Sequence, residues 1–137
     1  MNTNHLILLL QLAAVSHIGL ICAGLMMPRA VGLRTHLLVL PPFIRRLFWV
    51  YYCFIGLCLV SFGLMTFAFA ETLAAGSGLA RAMCGFMAAF WTIRLIAAMF
   101  IFDVRPYLTN RGWRLGYQAT NVVFTLLPLI YAFAALR

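Results

Sequence analysis

Residues 47–70 read LFWVYYCFIGLCLVSFGLMTFAFA and contain no charged side chain. The run is long enough for a helix to cross about 30 Å of hydrocarbon, which takes roughly 20 residues. Three similar apolar runs cover residues 6–27, 80–102 and 120–136. Lipid offers no water to satisfy backbone groups, and none of the runs alternates apolar and polar residues as a porin strand does. The sequence therefore predicts an all-α bundle of four transmembrane helices, with residues 1–137 forming one membrane domain.

The composition points the same way. Of 137 residues, 66% are hydrophobic and only 9% are charged, and the mean hydropathy is +1.04. A soluble domain carries about 25% charged residues, and a disordered chain requires low hydropathy. Both classes are therefore excluded.

The basic residues predict how the chain sits in the membrane. All ten are arginines, set against two acidic residues, and seven of them lie in the connections between the apolar runs. This distribution suits lipid phosphates and is unlike the single basic face of a nucleic-acid binder. Seven arginines in the first and third connections are expected to anchor the chain to phosphates: Arg29, Arg34, Arg45, Arg46, Arg105, Arg111 and Arg114. Because positive residues stay cytoplasmic, both termini are expected to face outward.

The first connection, from Pro28 to Arg46, is longer than a turn requires and mixes basic with apolar residues. Such a mixture predicts a short helix in the plane of the lipid headgroups. The pair Pro41 and Pro42 ends this segment before the second span begins.

Two residues within the spans, Arg94 and His17, cannot be explained by anchoring to the membrane surface. Arg94 lies well inside the third run, and an intramembrane arginine costs roughly 2.5 to 3.5 kcal/mol, so it is expected to face the bundle interior. His17 lies near the middle of the first run, at a similar depth, on a face with small residues. For Arg94, the expected partners are a cation–π ring and three groups with hydrogen-bond acceptors: Trp91, Tyr52, Gln118 and Asn121. The alternative is that both residues only bond neighbouring backbone groups and serve packing.

The chemistry available to such a pair is restricted. A histidine and an arginine without a carboxylate suit an anion, a quinone oxygen or a haem better than a cation. No Ser-His-Asp set, phosphate loop or CxxC motif is present, so no catalytic residue is assigned and an enzyme ranks low. No metal site is expected unless His17 ligates a haem.

Several segments resemble a known group of proteins. They are Ser16-His17 through Met27-Pro28, Pro41 to Arg46 with the following Phe48 to Tyr51, and Phe90 to Arg94. Together they resemble an uncharacterised family of small four-helix bacterial inner-membrane proteins. The resemblance implies a multi-pass location in the bacterial inner membrane and brings no activity with it.

Two fainter similarities concern single helices. His17, followed by Gly24 and Pro28-Arg29, is similar to the first helix of the membrane haem proteins that oxidise protoporphyrinogen; those also use a lysine, which this chain lacks. The segment from Ala80 through Trp91-Thr92 to Arg94 resembles a helix of the four-span ergosterol-biosynthesis scaffold, which tethers enzymes.

These observations lead to one expected function and two alternatives. We expect an accessory, scaffold or binding subunit of a membrane complex, with membrane lipids and a membrane-protein partner or a second copy as its contacts, and no nucleic acid. One alternative is a redox protein that binds haem or quinone through His17 and Arg94. The other is a small anion or lipid carrier that uses Arg94.

Overall fold

A computed structural model describes residues 3–102, 105–107 and 109–137. It confirms an all-α bundle in which four helices are long and apolar enough to span a membrane. The α-helices, in chain order, are α1 (Thr3–Ala30), α2 (Leu33–Leu38), α3 (Pro42–Ala68), α4 (Ala70–Ala74), α5 (Gly78–Phe100) and α6 (Arg111–Leu136). A single 3₁₀ turn covers Arg105–Tyr107. Asp103 lies outside the described residues, as does the side chain of Arg105.

The helix boundaries follow from local chemistry. Proline suits the first helical turn, where its missing N–H is not needed, and α3 begins at Pro42. The Ser77 hydroxyl caps α5 by accepting a hydrogen bond from the Ala80 N–H at 3.3 Å, and the Asn110 side chain caps α6 by accepting from the Gly112 N–H at 3.4 Å. Gly32 provides the left-handed turn, with φ of 59°, that separates α1 from α2.

Helix α1 contacts most of the other helices. It packs against α3, α4 and α6, while α5 packs mainly against α6. Its buried side chains recur along one face and are Leu6, Leu10, Ala13, Ala14, His17 and Leu20. In contrast, Thr66 is the single fully buried residue of α3, so α3 lies at the edge of the bundle.

Both chain ends lie at the same end of the bundle. The Arg137 guanidinium donates to the Thr3 hydroxyl at 3.2 Å, and Arg81 Nε donates to the Ala135 carbonyl at 3.0 Å. The α1–α2 connection and the start of α6 therefore lie at the opposite end, which carries most of the arginines. Which end faces the cytoplasm stays a prediction.

The helices extend beyond the apolar runs. Helix α6 begins at Arg111, so Arg111 and Arg114, expected in a loop, lie on its first turns. The Asn110 cap explains this start, because a capped helix does not need an apolar first turn. Helix α2 confirms a short helix in the first connection, and α4 is an additional short helix that the sequence analysis did not predict.

Candidate polar centre and basic groove

His17 lies in the interior of the bundle, and only 1% of its surface is exposed. Its Nδ1 is 2.7 Å from the Ala13 carbonyl oxygen. A carbonyl only accepts, so Nδ1–H is the donor, and in the neutral ring Nε2 keeps a free lone pair. Nε2 is buried and has no hydrogen-bond partner among the described residues. His17 lies on the buried face of α1 together with the small residue Ala13.

Trp91 on α5 places a donor beside this acceptor. Its ring meets the His17 ring edge to face, with centroids 5.2 Å apart and an interplanar angle of 79°. Trp91 is also 1% exposed, and its Nε1–H likewise lacks a partner in the described parts of the chain. The two contacting rings therefore carry one buried acceptor and one buried donor, and each costs free energy while unpaired.

A second polar contact lies next to this pair. The Thr66 hydroxyl on α3 and the Tyr131 hydroxyl on α6 are 2.7 Å apart, and the Thr66 hydroxyl also lies 3.7 Å from the Met87 sulfur as a donor. If Thr66 donates to the sulfur, Tyr131 donates to Thr66. The Tyr131 ring is 6.5 Å from that of His17. We call His17, Trp91, Thr66 and Tyr131 the polar centre, to which each of the four long helices contributes one residue.

The polar centre is closely packed on the α3 side. A Cβ on Gly63 would lie 3.1 Å from the Cβ of His17 and 3.5 Å from the Ala14 carbonyl oxygen. Glycine here lets α1 and α3 approach, as small residues do between membrane helices. A haem on Nε2 would require a gap as wide as its macrocycle, and a histidine that is 1% exposed with Trp91 against its ring provides none. This packing does not fit a haem.

Arg94 lies one helical turn beyond Trp91 and contacts aromatic rings. Its guanidinium carbon is 5.0 Å from the Phe124 ring centroid and 5.6 Å from that of Phe102. The expected cation–π partner Trp91 instead packs against Phe124, at 5.7 Å between centroids. Among the described residues, the ring contacts that connect Arg94 with His17 run through Phe124 and Trp91. The buried NH1 of Arg94 has no partner among the described residues.

Proline within α6 leaves one backbone carbonyl without its helical donor. Pro128 has no N–H, so the carbonyl of Phe124, four residues earlier, lacks the usual hydrogen bond. The ring of the same residue lies against the Arg94 guanidinium.

The other predicted neighbours of Arg94 lie elsewhere or contact other groups. The Tyr52 hydroxyl donates to the Gly24 carbonyl and so joins α3 to α1. Gln118 is exposed, while Asn121 is half-buried and accepts from the Thr125 hydroxyl through its backbone carbonyl at 2.9 Å. The structure brings together His17 and Trp91, with Arg94 adjoining them, and it does not bring Tyr52 to this group.

The arginine-rich end contains a groove between α1, α2 and α3, which we call the basic groove. Its volume is about 490 Å³. Side chains that line it include Arg29, Arg34, Thr35, Leu25, Trp49 and Tyr52. Of the other predicted anchoring arginines, Arg46, Arg111 and Arg114 are exposed and Arg45 is half-buried.

Sequence reasoning missed Thr66, Tyr131 and Gly63. A hydroxyl pair 65 positions apart in the chain requires knowledge of which helices adjoin. The only signal is that Thr66 and Tyr131 are polar residues within apolar spans, where partners are needed.

Within the described residues, no group of three or more His, Cys, Asp or Glu side chains could hold a metal ion. The cysteines are unpaired: Cys84 is buried, whereas Cys22, Cys53 and Cys58 are exposed. Comparison of the chain with protein-family models, curated proteins and solved structures gave no match. The resemblances drawn from the sequence therefore stay expectations.

Proposed function

We propose that this protein is a non-catalytic binding subunit of a membrane complex, and that it contacts its partner through the outer face of α3. One observation carries the proposal: α3 runs from Pro42 to Ala68, yet Thr66 is its single fully buried residue. In the most apolar stretch of each of the other three long helices, 22% to 33% of the residues are buried, whereas in α3 the share is 6%. Helix α3 therefore has the largest share of its surface free for another helix.

The outer face of α3 has a shape that suits helix packing. A shallow groove of about 500 Å³ runs along it and is lined by Trp49, Val50, Cys53, Phe54 and Leu57. Between helices in lipid, association depends on van der Waals packing of side chains into such grooves, because lipid tails are as apolar as leucine. A helix from a partner subunit, or from a second copy, would fill the groove.

Cysteines already present in the chain provide a direct test. Cys53 lies in the α3 groove, and Cys22 is exposed on α1. Two variants would each retain one of these cysteines, with the other three changed to alanine or serine. Each variant is labelled with a maleimide–benzophenone reagent, which inserts into C–H bonds and needs no thiol on the partner, and the native membranes are then irradiated. We expect the Cys53 variant to form one discrete adduct and the Cys22 variant to form much less. Equal adducts from both, or none from Cys53, would contradict the proposal.

Native mass spectrometry of the gently extracted protein identifies the partner. A stoichiometric second polypeptide supports a hetero-complex, and a dimer mass supports a second copy. A bare chain in every mild detergent that preserves the fold would contradict the proposal.

Quinol binding at the polar centre is a second candidate, favoured by the unpaired His17 Nε2 and Trp91 Nε1–H. A hydroxyl can donate to the first and accept from the second. A buried water fits the close packing of the polar centre, whereas a quinol hydroxyl requires α1 and α5 to separate locally. We expect solvent extracts of the purified protein to contain quinone if this role is correct, and His17→Phe to lower its amount. No quinone above the detergent blank would contradict it.

The anion or lipid carrier role also stays a proposal. Its support is the half-buried Arg94 guanidinium with a buried NH1 that lacks a partner in the described chain. Chloride flux into liposomes that Arg94→Gln abolishes would support it. Flux equal to that of empty liposomes would contradict it.

A further inference from the structure

The basic groove combines the two kinds of surface that an amphiphile requires. Arg29 and Arg34 supply guanidinium groups at its polar side, and Thr35 supplies a hydroxyl. Leu25 and Trp49 line the same groove from the apolar parts of α1 and α3. A headgroup and the beginning of its acyl chain would thus meet matching surfaces within one groove.

The groove depends on the turn between α1 and α2. Gly32 adopts φ of 59°, which other residues rarely accept, and this turn brings α2 back beside α1. Leu37 is buried and holds α2 in place, while Arg34 and Thr35 remain exposed on it. Arg29 comes from the last turn of α1, so the two guanidinium groups belong to different helices.

The local charge favours an anion. The protein carries a net charge of +8, and within the described residues the acidic side chain, Glu71, belongs to α4 at the other end of the bundle. Arginine is suited to phosphate because its planar fork donates two parallel hydrogen bonds. The volume of the basic groove, about 490 Å³, is many times the roughly 30 Å³ that one water molecule occupies.

We infer that the basic groove binds the phosphate headgroup of one anionic membrane lipid, with Arg29 and Arg34 as the phosphate ligands. Leu25 and Trp49 contact the start of the acyl chain. Lipid is favoured over a free anion because the groove continues into apolar surface at the depth of Tyr52, about two to three helical turns into α3. The basic groove shares Trp49 with the outer α3 face, but its phosphate ligands Arg29 and Arg34 do not line that face, so lipid binding does not require the proposed partner.

The test measures lipid that stays bound after transfer from membrane to detergent. The full chain is reconstituted into phosphatidylglycerol or phosphatidylcholine nanodiscs, extracted, and analysed by native mass spectrometry. We expect one phosphatidylglycerol per chain and little phosphatidylcholine. In Arg29→Gln/Arg34→Gln, the ratio of phosphatidylglycerol-bound chain to lipid-free chain should fall by about tenfold or more, because each basic residue near the surface contributes about 1 kcal/mol to lipid binding.

A matched control changes two other arginines at the same end. Arg46 and Arg111 are exposed and do not line the groove, so Arg46→Gln/Arg111→Gln should retain the lipid. If the groove variant fails to fold, Arg34→Gln alone replaces it, and Arg29→Lys/Arg34→Lys should retain part of the binding.

Three results would overturn the assignment. The first is equal phosphatidylglycerol retention in the groove variant and the control variant. The second is equal retention of the two lipids by the unaltered protein. The third is displacement of the lipid by inorganic phosphate at low millimolar concentration, which would indicate a free-anion site.

Discussion

Replacing Gly63 with alanine tests the close approach of α1 and α3. The new Cβ would lie 3.1 Å from the His17 Cβ and 3.5 Å from both the Ala14 carbonyl oxygen and the His17 Cγ. A Cβ and a carbonyl are fixed to the backbone and cannot rotate away, so the two helices must separate by a few tenths of an ångström. Overpacking of this kind costs about 1 to 3 kcal/mol.

The same substitution also has a favourable effect. Alanine is better than glycine within a helix by about 1 kcal/mol, so the net destabilisation from Gly63→Ala is about 0 to 2 kcal/mol. Gly56 on the same helix isolates the packing effect, because a Cβ there meets nothing within 4 Å. Gly56→Ala gains the helix preference alone. The difference between the two variants should therefore be about 1 to 3 kcal/mol.

The measurement is the free energy of unfolding of both variants and the unaltered protein, by denaturant titration in one detergent. Helix content before titration, from circular dichroism, verifies that all three fold. Equal stability of Gly63→Ala and Gly56→Ala, within about 0.5 kcal/mol, would refute the close approach of α1 and α3 at His17.

Three further predictions concern the hydroxyl pair, the cysteines and the chain ends. A double-mutant cycle of Thr66→Val and Tyr131→Phe should give a coupling of about 0.6 kcal/mol, and at most about 1.7; a coupling of zero would mean that the hydroxyls do not bond. In the isolated chain in detergent, a maleimide should label Cys22, Cys53 and Cys58 but leave buried Cys84 unlabelled until denaturation; equal labelling rates for all four would show that the α5–α6 packing is wrong. Reporter fusions at the two ends should both give the signal of the outer side, because Arg137 contacts Thr3 and the arginine-rich end should be cytoplasmic; opposite signals from the two ends would contradict an even number of spans.

The sequence allowed prediction of features that depend on hydropathy along the chain. The four spans and α2 follow from the lengths of apolar runs and from the prolines between them. The inward position of His17 followed from the small residues on its face of the first span, which let helices approach, and the structure buries it beside Ala13. Each of these inferences needs only one helix at a time.

Features that depend on pairs of helices could not be predicted. The long helices are apolar on all sides, so no polar stripe indicates which face meets a neighbour. Thr66 therefore gave no indication of Tyr131, and Gly63 gave none of His17. The Arg94 guanidinium stacks on Phe124 and not on the expected Trp91. Phe124 belongs to α6, and the sequence does not specify how α6 is aligned with α5.

The way α3 is attached links the polar centre to the proposed partner surface. Apolar side chains gain little from leaving lipid for protein, so α3 is held by hydrogen bonds and close packing. Among the described residues these hydrogen bonds are few: Tyr52 donates to the Gly24 carbonyl, and the Thr66 hydroxyl pairs with Tyr131 and lies 3.7 Å from the Met87 sulfur. Each contributes on the order of 0.6 kcal/mol. Packing at Gly63 therefore accounts for much of the attachment, and a change there should alter both the environment of His17 and the presentation of Cys53.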